Sequence, residues 1–534
     1  MDKFHRLVRQ QRGRPVRRTR GRPMGRRAFL GLGGVGAAGL LLGGGLAYSR
    51  NRLLTSPTFS DYPFTLGVAS GEPVHDGYSA RVVLWTRLAP DPLNGGGMPP
   101  NDVEVRWEIA SDENFRDVVQ SGTEIAPAQG AHSVHAALSG LEPARYYWYR
   151  FKAGSEISPV GRTKTPPETG ASLSSMSFAF VSCSDFQEGY FPVYRAVAEE
   201  DLDVVFHLGD FIYEYGPDPE STRVAQTPAP TDLETYRSTY AEYLLDPDLQ
   251  AARAMHPWEV IPDDHEVYNN FEGAPEDEDQ ATAAAFAYWE HMPLRPSASP
   301  QAAEGANLLL YRDVTYGDLA QFNMLDTRQY RGEPPDPESD NGGDVDTADP
   351  EIASDMVGKE QETWLLDRLA SSGARWNVIG NQIGMFDYQA GDDGNMMGWD
   401  DHGYARDRIM RYLDDYRPFN PVVITGDLHC SWVSDLKAYY PDENSATVGT
   451  EFIGTSITSS LGESYAEKYK GHLGQNPHVR FFDERTGGYV RVDLTSEEWR
   501  TEMKVADSIK DRESPVRTFA SFVIENGQPG AKQV

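Results

Sequence analysis

Five short apolar runs in this chain each end on residues able to bind a metal ion, and this pattern constrains the fold more than any other. Phe178–Ser182 runs into Cys183. Val204–Leu208 runs into Gly209-Asp210, with Tyr213 just beyond. Val260–Pro262 runs into Asp263-Asp264-His265-Glu266. Asn377–Gly380 runs into Asn381-Gln382, and Val422–Thr425 into Gly426-Asp427-Leu428-His429. A further apolar run, Ala320–Leu325, and helical stretches at Thr231–Leu245, Ala281–His291 and Lys359–Ser371 lie among them. Strand alternating with helix predicts a layered α/β sheet. Such sheets bind ligands at the carboxyl ends of their strands. One rim is therefore predicted to gather a thiol, carboxylates, a phenol, an amide and an imidazole. Singly, each has an ordinary explanation: Asp264 or Asp427 as a cap or turn residue, Cys183 as a buried thiol, His429 as a core histidine, Tyr213 as packing. Five successive strand ends of this kind share only one, a metal site.

Residues 59–167 read differently. Short alternating runs at Ala80–Thr86, Val103–Ala110, Ser133–Leu138 and Tyr146–Lys152 are separated by turn residues, as in a small all-β sandwich. The aromatic segment around Tyr146-Tyr147-Trp148-Tyr149 is similar to a late strand of a fibronectin-III-like domain. A Thr/Pro/Ser-rich linker follows at Thr163–Ser175. The catalytic body is expected over 175–505. A charged tail is expected over 506–534, with one helix at Val516–Glu525. The loops Pro334–Pro350 and Gly391–Asp401 are acidic and Gly-rich, and are expected at the surface.

Charge narrows the partners. The net charge is −32, although residues 1–47 hold eleven Lys/Arg against the single acid Asp2. The body that follows is strongly acidic, which argues against a nucleic-acid-binding surface. A phosphate substrate would need local cations, and bound metal is the obvious source. Two cysteines, Cys183 and Cys430, exclude both a disulfide scaffold and a four-cysteine zinc site.

The segment 1–47 reads as an address. A basic stretch ends in Arg26-Arg27-Ala28-Phe29-Leu30, and Gly31–Ala47 follows without a charge. The paired arginines ahead of a weakly hydrophobic, Gly-rich run resemble a twin-arginine export signal. Gly25 stands where Ser or Thr is usual. The expected location is secreted or extracytoplasmic, with the twin-arginine translocase as partner during export; an uncleaved signal anchor is the alternative.

The motif order Gly-Asp-x-x-Tyr, Asp-Asp-His-Glu, Asn-Gln, Gly-Asp-x-His resembles the alkaline phosphatase D (PhoD-like) family. This family is related to purple acid phosphatases among the calcineurin-like metallophosphoesterases. Phe64–Gly71, Leu84-Trp85-Thr86-Arg87, Leu325–Arg331 and Gly358-Lys359-Glu360-Gln361 also fit, and the resemblance covers about residues 59–500. It implies a metallophosphoesterase sandwich of β-sheets flanked by helices, preceded by a small β-domain and a twin-arginine signal.

Ligand chemistry divides the candidates. Cys183, Tyr213, His429 and Asp210 form one half-site, whose thiolate and phenolate favour iron(III). Asp210 as bridge, Asp264, Asn381 and Asp427 form the other, all oxygen donors suited to calcium. The resemblance implies the same pair. Purple acid phosphatases have Gly-His-x-His where this chain has Gly-Asp-x-His. The expected reaction is attack on a phosphate mono- or diester by a metal-bound hydroxide. His265, by resemblance, protonates the leaving group or contacts the transition state; alternatively it orients a ligand. Arg328 is a candidate phosphate contact, or a structural ion pair. Cys430, next to His429, is expected to be a buried thiol on the opposite face, unpaired with Cys183. Two competing readings stand beside this one: a phospholipase D-type enzyme on the same site, and a non-catalytic extracellular binding protein.

Overall fold

A computed structural model of the chain describes residues 58–534 apart from 60, 274, 276, 301–307, 333–354, 392–397 and 443. The expected signal segment 1–47 and the acidic loop at 334–350 lie outside the described residues, as does most of the loop at Gly391–Asp401.

The strands, in chain order, are β1 (Val68–His75), β2 (Ala80–Arg87), β3 (Val103–Ala110), β4 (Val118–Ala126), β5 (Ser133–Leu141), β6 (Tyr146–Ala153), β7 (Glu156–Ile157) and β8 (Gly161–Lys164) in the first part. The next group is β9 (Ser175–Val181), β10 (Val204–His207), β11 (Pro257–Val260), β12 (Arg312–Tyr316), β13 (Ala320–Met324), β14 (Trp376–Asn381) and β15 (Pro421–Thr425). The last are β16 (Ser431–Lys437), β17 (Thr447–Ile453), β18 (Val479–Asp483), β19 (Gly488–Thr495), β20 (Glu498–Ala506), β21 (Val516–Glu525) and β22 (Lys532–Gln533). A ten-stranded sheet runs β22-β21-β20-β19-β9-β10-β11-β1-β2-β5, a seven-stranded sheet β12-β13-β14-β15-β17-β16-β18, and a smaller one β4-β3-β6-β7 with β8 paired to β6.

The two large sheets face each other. Phe178, Phe180 and Phe206 from the ten-stranded sheet pack on Phe322, Val378, Ile424 and Phe452 from the seven-stranded one. Helices cover the outer faces. Tyr194, Tyr236, Tyr240 and Leu249 come from α1 (Pro192–Glu199), α2 (Leu233–Leu244) and α3 (Pro247–Met255), and pack on Val205, Trp258 and Val260. On the other side α5 (Lys359–Ser371) and α6 (Gly403–Tyr416) set Leu365, Leu369, Ile409 and Leu413 against Ile379 and Val423. Asp277 caps α4 (Glu278–His291) by accepting from Asp279 N and Gln280 N, which satisfies two donors that the first turn leaves open. The architecture is a helix–sheet–sheet–helix sandwich. Both middle layers are centred on parallel strands, β9-β10-β11 in one and β13-β14-β15-β17 in the other.

Two features depart from expectation. The β-region at 59–167 is not self-contained: β1 pairs in parallel with β11, so β1, β2 and β5 extend the central sheet. Alternation explains how. On β2, Val82 and Leu84 point into the core shared with β3 and β6, while Trp85 points into the helix-covered core. The expected helix at Val516–Glu525 is instead β21, antiparallel to β20. Ala520, Phe522 and Ile524 alternate into the inter-sheet core, and the open edge of β20 supplies the partner. The apparent tail is thus part of the ten-stranded sheet.

Candidate metal centre

The parallel strands of both sheets end at one edge, and short loops there carry the chemistry. Cys183 N donates to Gly209 O at 3.1 Å and Ser184 N to Asp210 O at 2.9 Å, tying the loops after β9 and β10 together. Two glycines permit the crowding. A Cβ on Gly209, which has φ +111°, would lie 2.4 Å from Asp263 Cβ; one on Gly426 would lie 2.8 Å from Ser182 Cβ, where the two sheets meet. Four expected ligands hold left-handed backbones: Cys183 at φ 60°, Asp210 at 56°, Asp427 at 63° and His429 at 55°. Left-handed non-glycine residues cost roughly 1–3 kcal/mol each and cluster at functional sites.

Three donor clusters result: Cys183, Asp210 and His429; Asp210, Asp264 and His265; and Asp263, Asp264 and Asp427. Within each, the donor atoms lie within 4.8 Å of one another. Asp210 is common to the first two and Asp264 to the last two. Tyr213 Oη lies 3.0 Å from Asp210 Oδ2 and 3.1 Å from His429 Nε2, which places the phenol beside the first cluster. His429 Nδ1 donates to Ser460 O at 3.2 Å, leaving Nε2 unprotonated and available as a ligand. Asn381 stands at the end of β14. Its Oδ1 accepts from Trp399 Nε1 at 3.2 Å and its Nδ2 donates to Ile383 O; one Oδ1 lone pair remains.

Arg328 is buried among acids. Nε donates to Asp263 Oδ1, and Nη2 lies 3.4 Å from Asp264 Oδ1 and 3.5 Å from Asp427 Oδ1. The guanidinium is engaged by three carboxylates, the arrangement expected of the ion-pair alternative. Asp263, the neighbour of Asp264, joins the third cluster, and its Oδ2 is buried without a hydrogen-bond partner among the described residues.

Electrostatics at this edge is lopsided. Burial, reinforced by Asp264 and Asp263, pushes the Asp210 carboxyl well above the usual carboxylate range. Burial also raises Asp263 and Glu266 to about 7. Asp264 alone is held low, Arg328 and His265 outweighing burial. Burial, with Asp210 beside them, pushes the Cys183 thiol and the Tyr213 phenol up as well. A buried cluster of carboxylates, a thiol and a phenol, with one buried oxygen unsatisfied among the described residues, fits the binding of cations, whose charge reverses each of these upward shifts.

His265 N donates to Asp210 Oδ1 at 3.4 Å, while the ring stacks on Tyr213 at 29° with centroids 4.1 Å apart. Burial lowers its pKa, but Asp210, the hydrogen bond to Glu214 and Asp264 together raise it to about 10. Two acids escaped the sequence reading as site residues. Glu214 lies 2.7 Å from His265 Nδ1. Glu266 accepts from Asp210 N, Phe211 N and Asp263 N, at 3.1, 2.6 and 2.8 Å, and so fixes two loops. Their only sequence signal was adjacency to Tyr213 and His265. Cys430 is buried and unpaired, accepting from Trp432 Nε1 at 3.1 Å; Cys183 is likewise a free thiol.

The comparisons bear on this geometry. The model of the PhoD-like phosphatase family matches residues 178–503, and that of the PhoD-like phosphatase N-terminal domain matches residues 49–167. Alkaline phosphatase D of Bacillus subtilis (strain 168) is 44% identical, with 95% of this chain and 89% of that protein covered. A solved structure of PhoD superposes with a TM-score of 0.81 at 43% identity, covering 90% of this chain and 93% of that one. With both family models matched in order along one chain, and the same fold in a solved relative, this chain belongs to the PhoD-like phosphatase family of phosphoester hydrolases.

Proposed function

We propose that the site is a two-metal phosphoesterase centre, with iron(III) held by Cys183, Asp210, Tyr213 and His429, and calcium held by Asp210, Asp264, Asn381 and Asp427. The observation that carries this reading is that Asp210 is shared between the cluster with Cys183 and His429 and the one with Asp264, and Asp264 in turn with Asp427, which suits Asp210 to a bridging place. The first set contains the soft and phenolic donors that favour a trivalent transition metal; the second is all oxygen. Such a pair supplies an activated water and neutralises phosphate charge.

The remaining work falls to the protein. Arg328 holds Asp263, Asp264 and Asp427 in place against their mutual repulsion. Glu266 sets the Asp210 and Asp263 backbones. His265 offers a proton to the departing alcohol, beside the carboxylates of Asp210 and Asp264. The substrate is a phosphate mono- or diester. The paired arginines at Arg26-Arg27 and the uncharged run Gly31–Ala47 support export through the twin-arginine route to an extracytoplasmic location.

Elemental analysis of active protein tests the metals: iron and calcium near one each are expected, and zinc or manganese alone would overturn the assignment. Rates on p-nitrophenyl phosphate, bis-p-nitrophenyl phosphate and phosphatidylcholine test the substrate class. Hydrolysis of either nitrophenyl ester supports the reading; turnover of phosphatidylcholine alone would move it to a phospholipase, and no turnover of any to a binding protein.

A further inference from the structure

The side-chain partner of His265 is Glu214. Glu214 Oε2 lies 2.7 Å from His265 Nδ1, and Glu214 Oε1 accepts from Asn269 N at 2.8 Å. Both carboxylate oxygens are thus engaged, the side chain is largely buried, and Glu214 belongs to none of the three donor clusters. Its hydrogen-bond partners among the described residues are the His265 imidazole and the Asn269 backbone. Tyr213 stacks on the ring at 29° and Tyr215 meets it edge-on with centroids 5.4 Å apart. The two aromatics confine the plane of the imidazole, and Glu214 fixes its rotation within that plane. Nε2 makes no hydrogen bond among the described residues.

We propose that Glu214 is the positioning residue of His265, holding Nδ1–H so that Nε2 faces the leaving-group oxygen. The inference rests on the reading of His265 as the acid. As the bond from phosphorus to the alcohol oxygen breaks, that oxygen takes the Nε2 proton. The imidazole is left neutral, with Nδ1–H still on Glu214, and regains its proton from solvent. A carboxylate that anchors the far nitrogen keeps the ring in the productive tautomer and orientation, as buried acids do for other catalytic imidazoles.

Glu214 also touches the turn at 264–270, since Asn270 N donates to Asp264 Oδ2 next to the Asn269 contact. The experiment must separate orientation of His265 from support of that turn. Glu214→Gln, His265→Ala and the double variant are purified as metal-loaded full-length enzyme. Iron and calcium contents are measured, and kcat and KM are taken on p-nitrophenyl phosphate and on an alkyl phosphate. Glu214→Gln should keep both metals and KM and lower kcat on the alkyl ester about 10- to 100-fold. The loss should be smaller on p-nitrophenyl phosphate, whose leaving group needs no proton. In the His265→Ala background the same change should cost less than about twofold. Equal losses on both substrates that multiply with His265→Ala, or loss of metal, would make Glu214 a brace of the turn and overturn the proposal. A rate loss in His265→Ala with Glu214→Gln unaffected overturns the role of Glu214 alone. A His265→Ala enzyme with full rate on the alkyl ester removes the acid reading itself.

Discussion

Replacing Gly209 by alanine tests how tightly the centre is built. The new methyl would lie 2.4 Å from Asp263 Cβ, 2.9 Å from Asp263 N and 3.1 Å from Asp263 Cα, at φ +111°. Two costs combine. An L-residue in that backbone region is strained by about 1–3 kcal/mol, and overpacking a well-filled interior adds about 1–3 kcal/mol. The expected destabilisation is therefore roughly 2–6 kcal/mol, a large part of the roughly 5–15 kcal/mol that holds most proteins folded. Gly77→Ala is the matched control, because φ is +87° there and nothing lies within 4 Å of the added methyl. It carries the backbone strain alone, about 1–2 kcal/mol. Thermal and denaturant unfolding of the two variants, each metal-loaded, give the difference. Because the displaced residue is Asp263, which pairs with Arg328, kcat should fall as well, by up to about 100-fold for a shift near 1 Å. Equal unfolding curves for the two variants, or a Gly209→Ala enzyme of wild-type activity, would refute the close packing of the β10 and β11 loops.

Other outcomes follow from the same structure. Asp210→Asn should lose iron, calcium and activity together, as measured by elemental analysis and turnover. Cys183→Ser should abolish or shift the visible charge-transfer band that thiolate and phenolate ligation of the proposed iron(III) would give, whereas Cys430→Ala should leave it unchanged, since that thiol faces Trp432. Arg26→Lys with Arg27→Lys should trap the protein in the cytoplasm with its enzymatic domain intact; fractionation showing unchanged export would mean another route. Glu259 is a pH test remote from the metal ligands. Burial, opposed by Arg312, raises its carboxyl to about 7. The folded state therefore binds the proton more tightly than the unfolded one, and stability falls as pH rises from the ordinary carboxylate range, about 4, to about 7. Glu259→Gln should flatten that part of the curve of Tm against pH.

The sequence made the rim of the sandwich legible because a strand followed at once by a ligand leaves little freedom in where that ligand lies. Cys183, Asp210, Asp264, Asp427 and His429 are brought together by four strand ends, those of β9, β10, β11 and β15, that could be marked residue by residue. What escaped were choices between partners. Alternation on β2 shows a strand with two faces, but not that Trp85 faces the helices α2–α4 while Leu84 faces the N-terminal sheet. In Val516–Glu525, Val516, Ala520 and Val523 suit a helix as well as Ala520, Phe522 and Ile524 suit a strand; only the open edge of β20 decides. Glu214 and Glu266 were hidden by their neighbours, since an acid beside a candidate ligand looks like part of the same motif until its hydrogen bonds are seen. For Arg328, sequence could not choose between phosphate and carboxylate partners; burial among three acids settles its surroundings.

The centre also has a mechanical meaning, because its donors come from both layers of the sandwich. Cys183, Asp210 and Asp264 follow strands of the ten-stranded sheet; Asn381, Asp427 and His429 follow strands of the seven-stranded one. Tyr213 and His429, 216 positions apart in the chain, already meet across the seam at 3.1 Å. Neither sheet alone offers the proposed donor set, so the site comes into being only when the two layers dock. A cation shared between them is a cross-link that closes a loop of that length. Such a cation binds the docked sandwich and not the unfolded chain, and so stabilises the folded state by mass action. In a protein whose two thiols are both unpaired, the catalytic centre can therefore double as the staple between its halves.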